Sequence, residues 1–390
     1  MLDAFDYFLV VFVLDRLADE FAASLETVTY ALFLTLAMRP VGALVFGRLA
    51  DRFGRRPILI ASVLLYAAAE GASAFAPSLR AFLWLRALYG IAMGGEWGVG
   101  AALAFETVPV TARGTVSGIL QAGYPGGYLL AAIAFGLLFP CSGWRGLFLL
   151  GASLPALLVV YILWCVPESA SWRGERSTRP ATPLWAGLAG NWGLVVYAVL
   201  LMTCFNAFSH GTQDLFPTFL AKQHGLGAGT RAWIAVVYNI GAICGGIFFG
   251  RLSNRIGRRR AIALAAVLAL AAVPFWGYSR SVGTIAAAAF VMQFMVQGAW
   301  GVVPVHLNEL SPEGMRATFP SVVYQLGNLL ASYNSTLQTR IANAHGSPGQ
   351  PDFAFALSLT CALVAAVLAL LALLGPERRG VRFGTARSEG

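Results

Sequence analysis

Asn206, Ser209, His210, Gln213 and Asp214 fall at i, i+3, i+4, i+7 and i+8, with Thr218 beyond Pro217. On a helix this spacing makes one continuous polar face. The surrounding stretch is apolar enough to lie in a bilayer, where ionisable groups are costly and mark function. His210 and Asp214 stand one turn apart, close enough to pair and to share a proton. A structural hydrogen bond explains a lone histidine. Five polar residues on one face read better as the wall of a water-filled pathway. Arg39, in Thr35-Leu-Ala-Met-Arg39-Pro40, is the best anion ligand. Its planar guanidinium offers a carboxylate two parallel hydrogen bonds. The competing reading is a structural ion pair with Asp3, Asp6 or Glu96.

Smaller polar sets accompany these. Gln325 and Asn328 share a face that Ser332 and Ser335 continue; Gln121, Tyr124 and Tyr128 form another, and Gln293, Gln297 and Trp300 a third. For the last two sets, hydrogen bonding between helices competes evenly with ligand contact. His306, Asn308 and Glu309 read as loop or gate contacts. The four histidines and five cysteines stand at unrelated positions, so neither a metal set nor a nucleophile–base pair emerges. No Gly-X-X-X-X-Gly-Lys-Ser/Thr loop occurs, which argues against drive by ATP. An enzyme is not expected, and no cofactor or metal is called for.

The elements that carry these residues follow from composition. The 390 residues are 58% hydrophobic and 12% charged, against about 25% charged in soluble domains. Such a chain cannot coat a water-soluble surface of this size. It reads as an all-α integral membrane protein. A bilayer core of about 30 Å takes about 20 apolar residues per helix, and the chain holds twelve such candidates. The net charge of +9 could suggest nucleic-acid binding, but the basic residues cluster in short loops between apolar runs. With the loop after the second span inside the cell, eighteen of the 27 basic residues fall on the inner side and seven outside. That bias predicts both termini in the cytoplasm. The first span, with Leu2 to Leu14 as its apolar part, is short and lacks a basic flank, so a truncated or late start is expected.

The segment Gly47-Arg-Leu-Ala-Asp51-Arg52-Phe-Gly54-Arg55-Arg56 recurs as Gly250-Arg-Leu-Ser-Asn254-Arg255-Ile-Gly257-Arg258-Arg259, an offset of 203 residues. The same offset carries Glu106 onto Glu309, Pro109 onto Pro312 and Arg113 onto Arg316. Two matches at one offset indicate a duplicated six-helix unit, and an even number of spans makes the repeat parallel. The expected organisation is a first bundle over 1–166, a cytoplasmic linker over 167–190, a second bundle over 191–375 and a tail over 376–390. The linker's Arg173, Arg176, Arg179, Pro180 and Pro183 suit a solvated connection. Asp51 can accept from the N-terminus of a neighbouring helix or from Arg113, locking one packing of the bundles.

This loop, with Arg86-X-X-X-Gly90-X-X-X-Gly94-Gly95-Glu96 and Pro167-Glu168-Ser169, resembles the hallmark sequences of the major facilitator superfamily. The resemblance implies a twelve-helix fold of two six-helix bundles. It also implies a conformational gate at Gly47, Asp51, Arg52, Gly54, Arg55 and Arg113, with Gly250, Arg255, Gly257 and Arg316 in the second copy. Within that superfamily, Asn206-X-X-Ser209-His210-X-Thr212-Gln213-Asp214-X-X-X-Thr218 is similar to the seventh-span signature of the yeast-type lactate/pyruvate:proton symporters. Asp3-Ala-Phe-Asp6 resembles a first-span pattern of the related sialate:proton symporters. The resemblance implies substrate contacts at Arg39, Gln325 and Asn328. With the polar faces, the expected substrate set is Arg39, Ser209, Gln213, Gln325, Asn328, Gln121 and Tyr124. The expected proton-coupling set is His210, Asp214, Asp6 and Glu96. The expected activity is proton-coupled import of a small monocarboxylate by a monomer in the plasma or inner membrane. A sialic acid, sugar-acid or aromatic-acid carrier, and a substrate sensor of transporter fold, remain alternatives.

Overall fold

The structure, a computed structural model, describes residues 1–178, 190–347, 350–381 and 383. Among them the chain is helical almost throughout, with one isolated bridge, Ser347–Gln350, outside the helices. The first half holds α1 (Leu2–Glu20), α2 (Leu25–Phe53), α3 (Arg55–Ser73), α4 (Leu79–Thr107) and α5 (Arg113–Cys165). The short α6 (Ala170–Thr178) follows, and residues 179–189, with the linker's Arg179, Pro180 and Pro183, lie outside the described residues. The second half holds α7 (Trp192–Gln213), α8 (Phe216–Lys222), α9 (Ala228–Ile256), α10 (Arg258–Tyr278) and α11 (Val282–Trp300). It continues with α12 (Val303–Leu310), α13 (Thr318–Ala331), α14 (Asn334–His345) and α15 (Phe353–Leu374).

Twelve membrane crossings follow from these helices. α7 with α8, α11 with α12, and α13 with α14 each make one interrupted crossing, the last broken near its middle. α5 makes two. Its 53 residues turn at Gly143, whose φ of 62° and ψ of −168° leave the helix, so the fifth and sixth spans meet at a single residue rather than across a loop. α1 runs on past Leu14 to Glu20, 19 residues in all, and Glu20 is held by Arg145 at 2.7 Å.

Seven helical stretches among the described residues are long and apolar enough to cross a membrane on composition alone. The stretches that miss this standard include α1, α3 and α4, and these carry Asp6, Glu70 and Arg86, all fully buried. Large apolar side chains such as Phe75, Leu137, Trp164 and Leu374 are exposed on the outer surface, as helices facing lipid require.

The repeat governs local construction too. Ser78 caps α4 by accepting from the Ala81 N–H at 3.3 Å, and Ser281, 203 residues on, caps α11 from Thr284 at 3.2 Å. α2 lies backbone-to-backbone on α4: a side chain at Gly94 would meet the Arg39 carbonyl, and one at Gly42 the Ile91 carbonyl. Gly245 repeats the second contact against Phe294. Arg39 therefore sits where α2 can shift little against its neighbour.

Candidate functional site

Contiguous cavities run between the two halves. One is lined by Arg39, Glu96, Gln121, Tyr124, Tyr324 and Gln325. The next shares Arg39, Gln121, Tyr124 and Tyr324 and adds Asn206, Ser209, His210, Gln297, Trp300 and Asn328. A third continues past Tyr124, His210, Gln325 and Asn328 to Asp214 and Ser332. One chamber thus joins Arg39 to the His210–Asp214 pair, with walls from both halves.

Arg39 is 8% exposed. Its Nη2 donates to the Met93 thioether at 2.9 Å, and its guanidinium carbon lies 5.5 Å from the Tyr7 ring. Its Nε has no hydrogen-bond partner, and among the described residues no carboxylate lies within ion-pair distance of it. The ion pair weighed from sequence is not formed. Asp3, paired with the N-terminal amine at 3.0 Å, and Glu96 share the cavity wall with it, but neither takes its fork, which stays open to a carboxylate. Rings surround it: Trp97 packs on Tyr324 at 4.8 Å between centroids, and Trp300 on Tyr324 at 5.8 Å.

His210 Nδ1 and Asp214 Oδ1 are 3.2 Å apart, and both side chains are 40% exposed. The other Asp214 oxygen accepts from Ser335 at 2.9 Å, tying α7 to α14. Gln213, on the same helical face, turns away from the chamber. It donates to Gln293 at 2.9 Å and Ser209 at 3.3 Å, so it braces α7 against α11. Asp6 also lies outside the chamber. It is fully buried beside Glu70 and Arg86, which pair at 2.7 Å, and neither of its oxygens has a hydrogen-bond partner. Two carboxyls there share one guanidinium.

One face of the molecule is shut by the duplicated loop. Gly54 and Gly257 end α2 and α9 at φ of 118° and 99°, in the region that favours glycine. The next residue in each copy is a buried arginine. Arg55 reaches Asp51 at 3.1 Å and Glu106 at 3.0 Å, while Arg258 reaches Glu309 at 2.9 Å and Asn254 at 2.9 Å. Each loop residue then crosses to the other half. Asp51 accepts from the Ala317 N–H at 3.1 Å and the Thr318 N–H at 3.0 Å, capping α13. Asn254 accepts from the Gly114 N–H at 3.0 Å, at the start of α5. Gly114 and Ala317 are themselves 203 residues apart. The two halves exchange the same bond about their pseudo-twofold axis. Gly47 and Gly250 permit the approach, since side chains there would meet Thr318 and Gly114. Ser117 adds a further bridge, accepting from the Val305 N–H at 3.2 Å.

Residues 1–329 and 199–389 each match the major facilitator superfamily. The chain belongs to that superfamily. It is 33% identical over 369 residues to a carboxylic acid transporter protein homolog of Saccharomyces cerevisiae, an alignment spanning 88% of this chain and 59% of the yeast protein. It is 25% identical over 346 residues to a sialic acid transporter of Escherichia coli, spanning 88% and 85%. It is 26% identical over 416 residues to a niacin transporter of Acinetobacter baylyi, spanning 97% and 92%. Its fold is that of a solved proton:xylose symporter, with a TM-score of 0.77 at 17% identity over 98% of this chain and 95% of that one. The protein is a multi-pass membrane transporter.

As a major facilitator transporter it uses residues that spacing did not single out. Glu168 accepts from the Arg55 and Arg56 N–H groups, and Glu377 from those of Arg258 and Arg259, so one carboxylate caps each of α3 and α10. Arg258, Glu106 and Asn254 belong to the gate too, with the repeat as their signal, and so does Glu309, expected from the sequence as a loop or gate contact. Asp51 caps α13 rather than pairing with Arg113. Arg52 lies over Phe53 at 5.1 Å, and the Arg255 side chain is exposed, so these two decorate the gate loop without closing it. Arg113 and Arg316 instead lie 3.7 Å and 4.4 Å from the Phe383 ring.

Proposed function

We propose that the protein is a symporter that imports a small monocarboxylate with a proton by alternating access, its gate face and both termini in the cytoplasm. The observation that carries this reading is Arg39, a nearly buried guanidinium facing the inter-half chamber with no carboxylate partner among the described residues. The substrate carboxylate takes the fork of Arg39, and Ser209, Gln325 and Asn328 orient the rest. Proton binding at His210–Asp214 loosens the hold of Asp214 on Ser335, and with it the tie between α7 and α14. With both charges neutralised, the gate bonds around Asp51 and Asn254 can break and the halves rock. One pH unit supplies about 1.4 kcal/mol per proton. The basic residues concentrated on the gate side support the orientation, and the yeast relative's description as a carboxylic acid transporter homolog supports the substrate class.

The test is net uptake of labelled lactate and pyruvate into proteoliposomes with an imposed pH gradient. Uphill accumulation of either acid that collapses with the gradient is expected. A second reading is supported by the rings around Arg39, Tyr7, Trp97, Trp300 and Tyr324, and by the niacin transporter among the relatives. It is an aromatic monocarboxylate stacked on those rings. Nicotinate that outcompetes lactate, with labelled nicotinate itself accumulated, would establish it instead. Asp6, beside Glu70 and Arg86, is the alternative proton site because two carboxyls share one cation there.

A further inference from the structure

Gln297 is 3% exposed, lines the chamber beside Arg39 and Ser209, and presents an amide oxygen that no donor meets. Its Nε2 donates to Ser209 Oγ at 3.0 Å. Gln213 Nε2 donates to the same Oγ at 3.3 Å. Behind them the polarity is set step by step. The Thr212 hydroxyl donates to the Phe208 carbonyl at 3.0 Å, so it accepts from Gln293 Nε2 at 2.9 Å. That turns Gln293 Oε1 toward Gln213 Nε2, also at 2.9 Å. With both acceptor positions of Ser209 taken, its own proton remains to be donated. At the chamber wall the pair therefore holds one unused donor, the Ser209 hydroxyl, and one unmet acceptor, the buried Gln297 oxygen.

We infer that Gln297 is a specificity-determining residue that makes the carrier prefer 2-hydroxy acids over 2-keto acids. The inference rests on the monocarboxylate reading above. With the carboxylate on Arg39, the group on the adjacent carbon faces Ser209 and Gln297. A hydroxyl there accepts from Ser209 and donates to Gln297, satisfying both. A ketone only accepts. It leaves the Gln297 oxygen unpaired and sets it against another oxygen, a mismatch worth about tenfold in affinity.

The experiment is counterflow of labelled lactate and pyruvate in proteoliposomes holding the full chain. Wild type is expected to half-saturate with lactate at about one-tenth the pyruvate concentration. Gln297→Met, which keeps the length and removes the acceptor, should raise the lactate value about tenfold and leave pyruvate within about threefold. Ser209→Ala, which removes the donor used by both acids, should weaken both alike. Parallel losses for the two acids in Gln297→Met, or equal affinities in wild type, overturn the inference while leaving monocarboxylate transport standing. A wild-type protein that carries neither acid overturns that reading and this inference with it.

A separate observation lies on the gate face. The Phe383 ring is 3.7 Å from the Arg113 guanidinium carbon and 4.4 Å from that of Arg316. These arginines are related by the repeat offset, one per half. Nearby, Arg113 donates to the Val381 carbonyl at 2.7 Å, Arg379 to the Arg255 carbonyl at 3.0 Å, and Ser171 to the Phe383 carbonyl at 3.5 Å. The geometry assigns Phe383, beyond α15, the role of a latch. One ring covers two cations that must separate when this face opens, so it favours the shut state.

Its test uses Ser117, fully buried at the seam, as a reporter. In a protein freed of its five cysteines, Ser117→Cys should react with a maleimide at least about threefold faster when Phe383→Ala is added. Phe383→Trp should restore the slow rate, and removal of residues 380–390 should match Phe383→Ala. Unchanged labelling in both Phe383→Ala and the shortened chain overturns the latch.

Discussion

Arg39 and Asp214 divide the chemistry of the chamber, one holding an anion and the other giving up a charge. Lysine at position 39 would keep the positive charge but lose the planar fork. Arg39→Lys is expected to abolish lactate and pyruvate counterflow; wild-type uptake in that variant would remove the carboxylate from Arg39. Succinate brings a second charge, and Arg86, the other arginine within a span of the first half, is already paired with Glu70. Burying an unpaired charge costs several kcal/mol. Discrimination against succinate of at least ~100-fold follows from ~2.7 kcal/mol, read as its inhibition constant against lactate. Asp214→Asn keeps the shape and a hydrogen bond to Ser335 while removing the titratable group. Gradient-driven accumulation should vanish and lactate exchange survive, because exchange moves no net proton. Undiminished accumulation would transfer coupling to Asp6 or Glu96.

At the level of helices, caps and kinks set the energies. Asp51 holds the N-terminus of α13 with a charge, Asn254 the start of α5 with a neutral amide. A charged cap is worth more than a neutral one. Asp51→Asn should therefore open the gate face by roughly tenfold and Asn254→Ala by roughly fivefold, for losses of about 1.4 and 1 kcal/mol. Labelling of Ser117→Cys measures both, and an order reversed from this would place the dominant lock in the second copy. Gly143 is a different case. Nothing lies within 4 Å of a Cβ added there, so its φ of 62° alone opposes a side chain. Gly143→Ala should cost about 1–2 kcal/mol and lower the melting temperature in detergent. Gly136→Ala, equally unobstructed but within the regular part of α5, should not.

Across the whole molecule, the two gate bridges are copies of one interaction joining two bundles. If the halves rock as bodies, the bridges break together. The effects of Asp51→Asn and Asn254→Ala should then add within about 0.5 kcal/mol, so the double variant labels at the product of the single factors. A double variant no faster than Asp51→Asn would mean that the halves hinge locally instead. The duplication itself was legible in the chain, because an offset of 203 survives wherever glycine geometry or a buried charge forbids substitution. So was the membrane architecture, since hydropathy reports the solvent around a helix directly. The face shared by Ser209, His210 and Asp214 could be read from spacing, as could the solitary charge of Arg39. Spacing could not say which way a glutamine turns: Gln213 on that face meets Gln293, while Gln297 on α11 meets the chamber. Nor could it separate Arg39, left without an anion, from Arg86, buried on Glu70. Helical periodicity specifies a residue's angle about its own axis. What stands opposite that angle depends on how α2 packs on α4 and α7 on α11, and those contacts exist only once each half has folded.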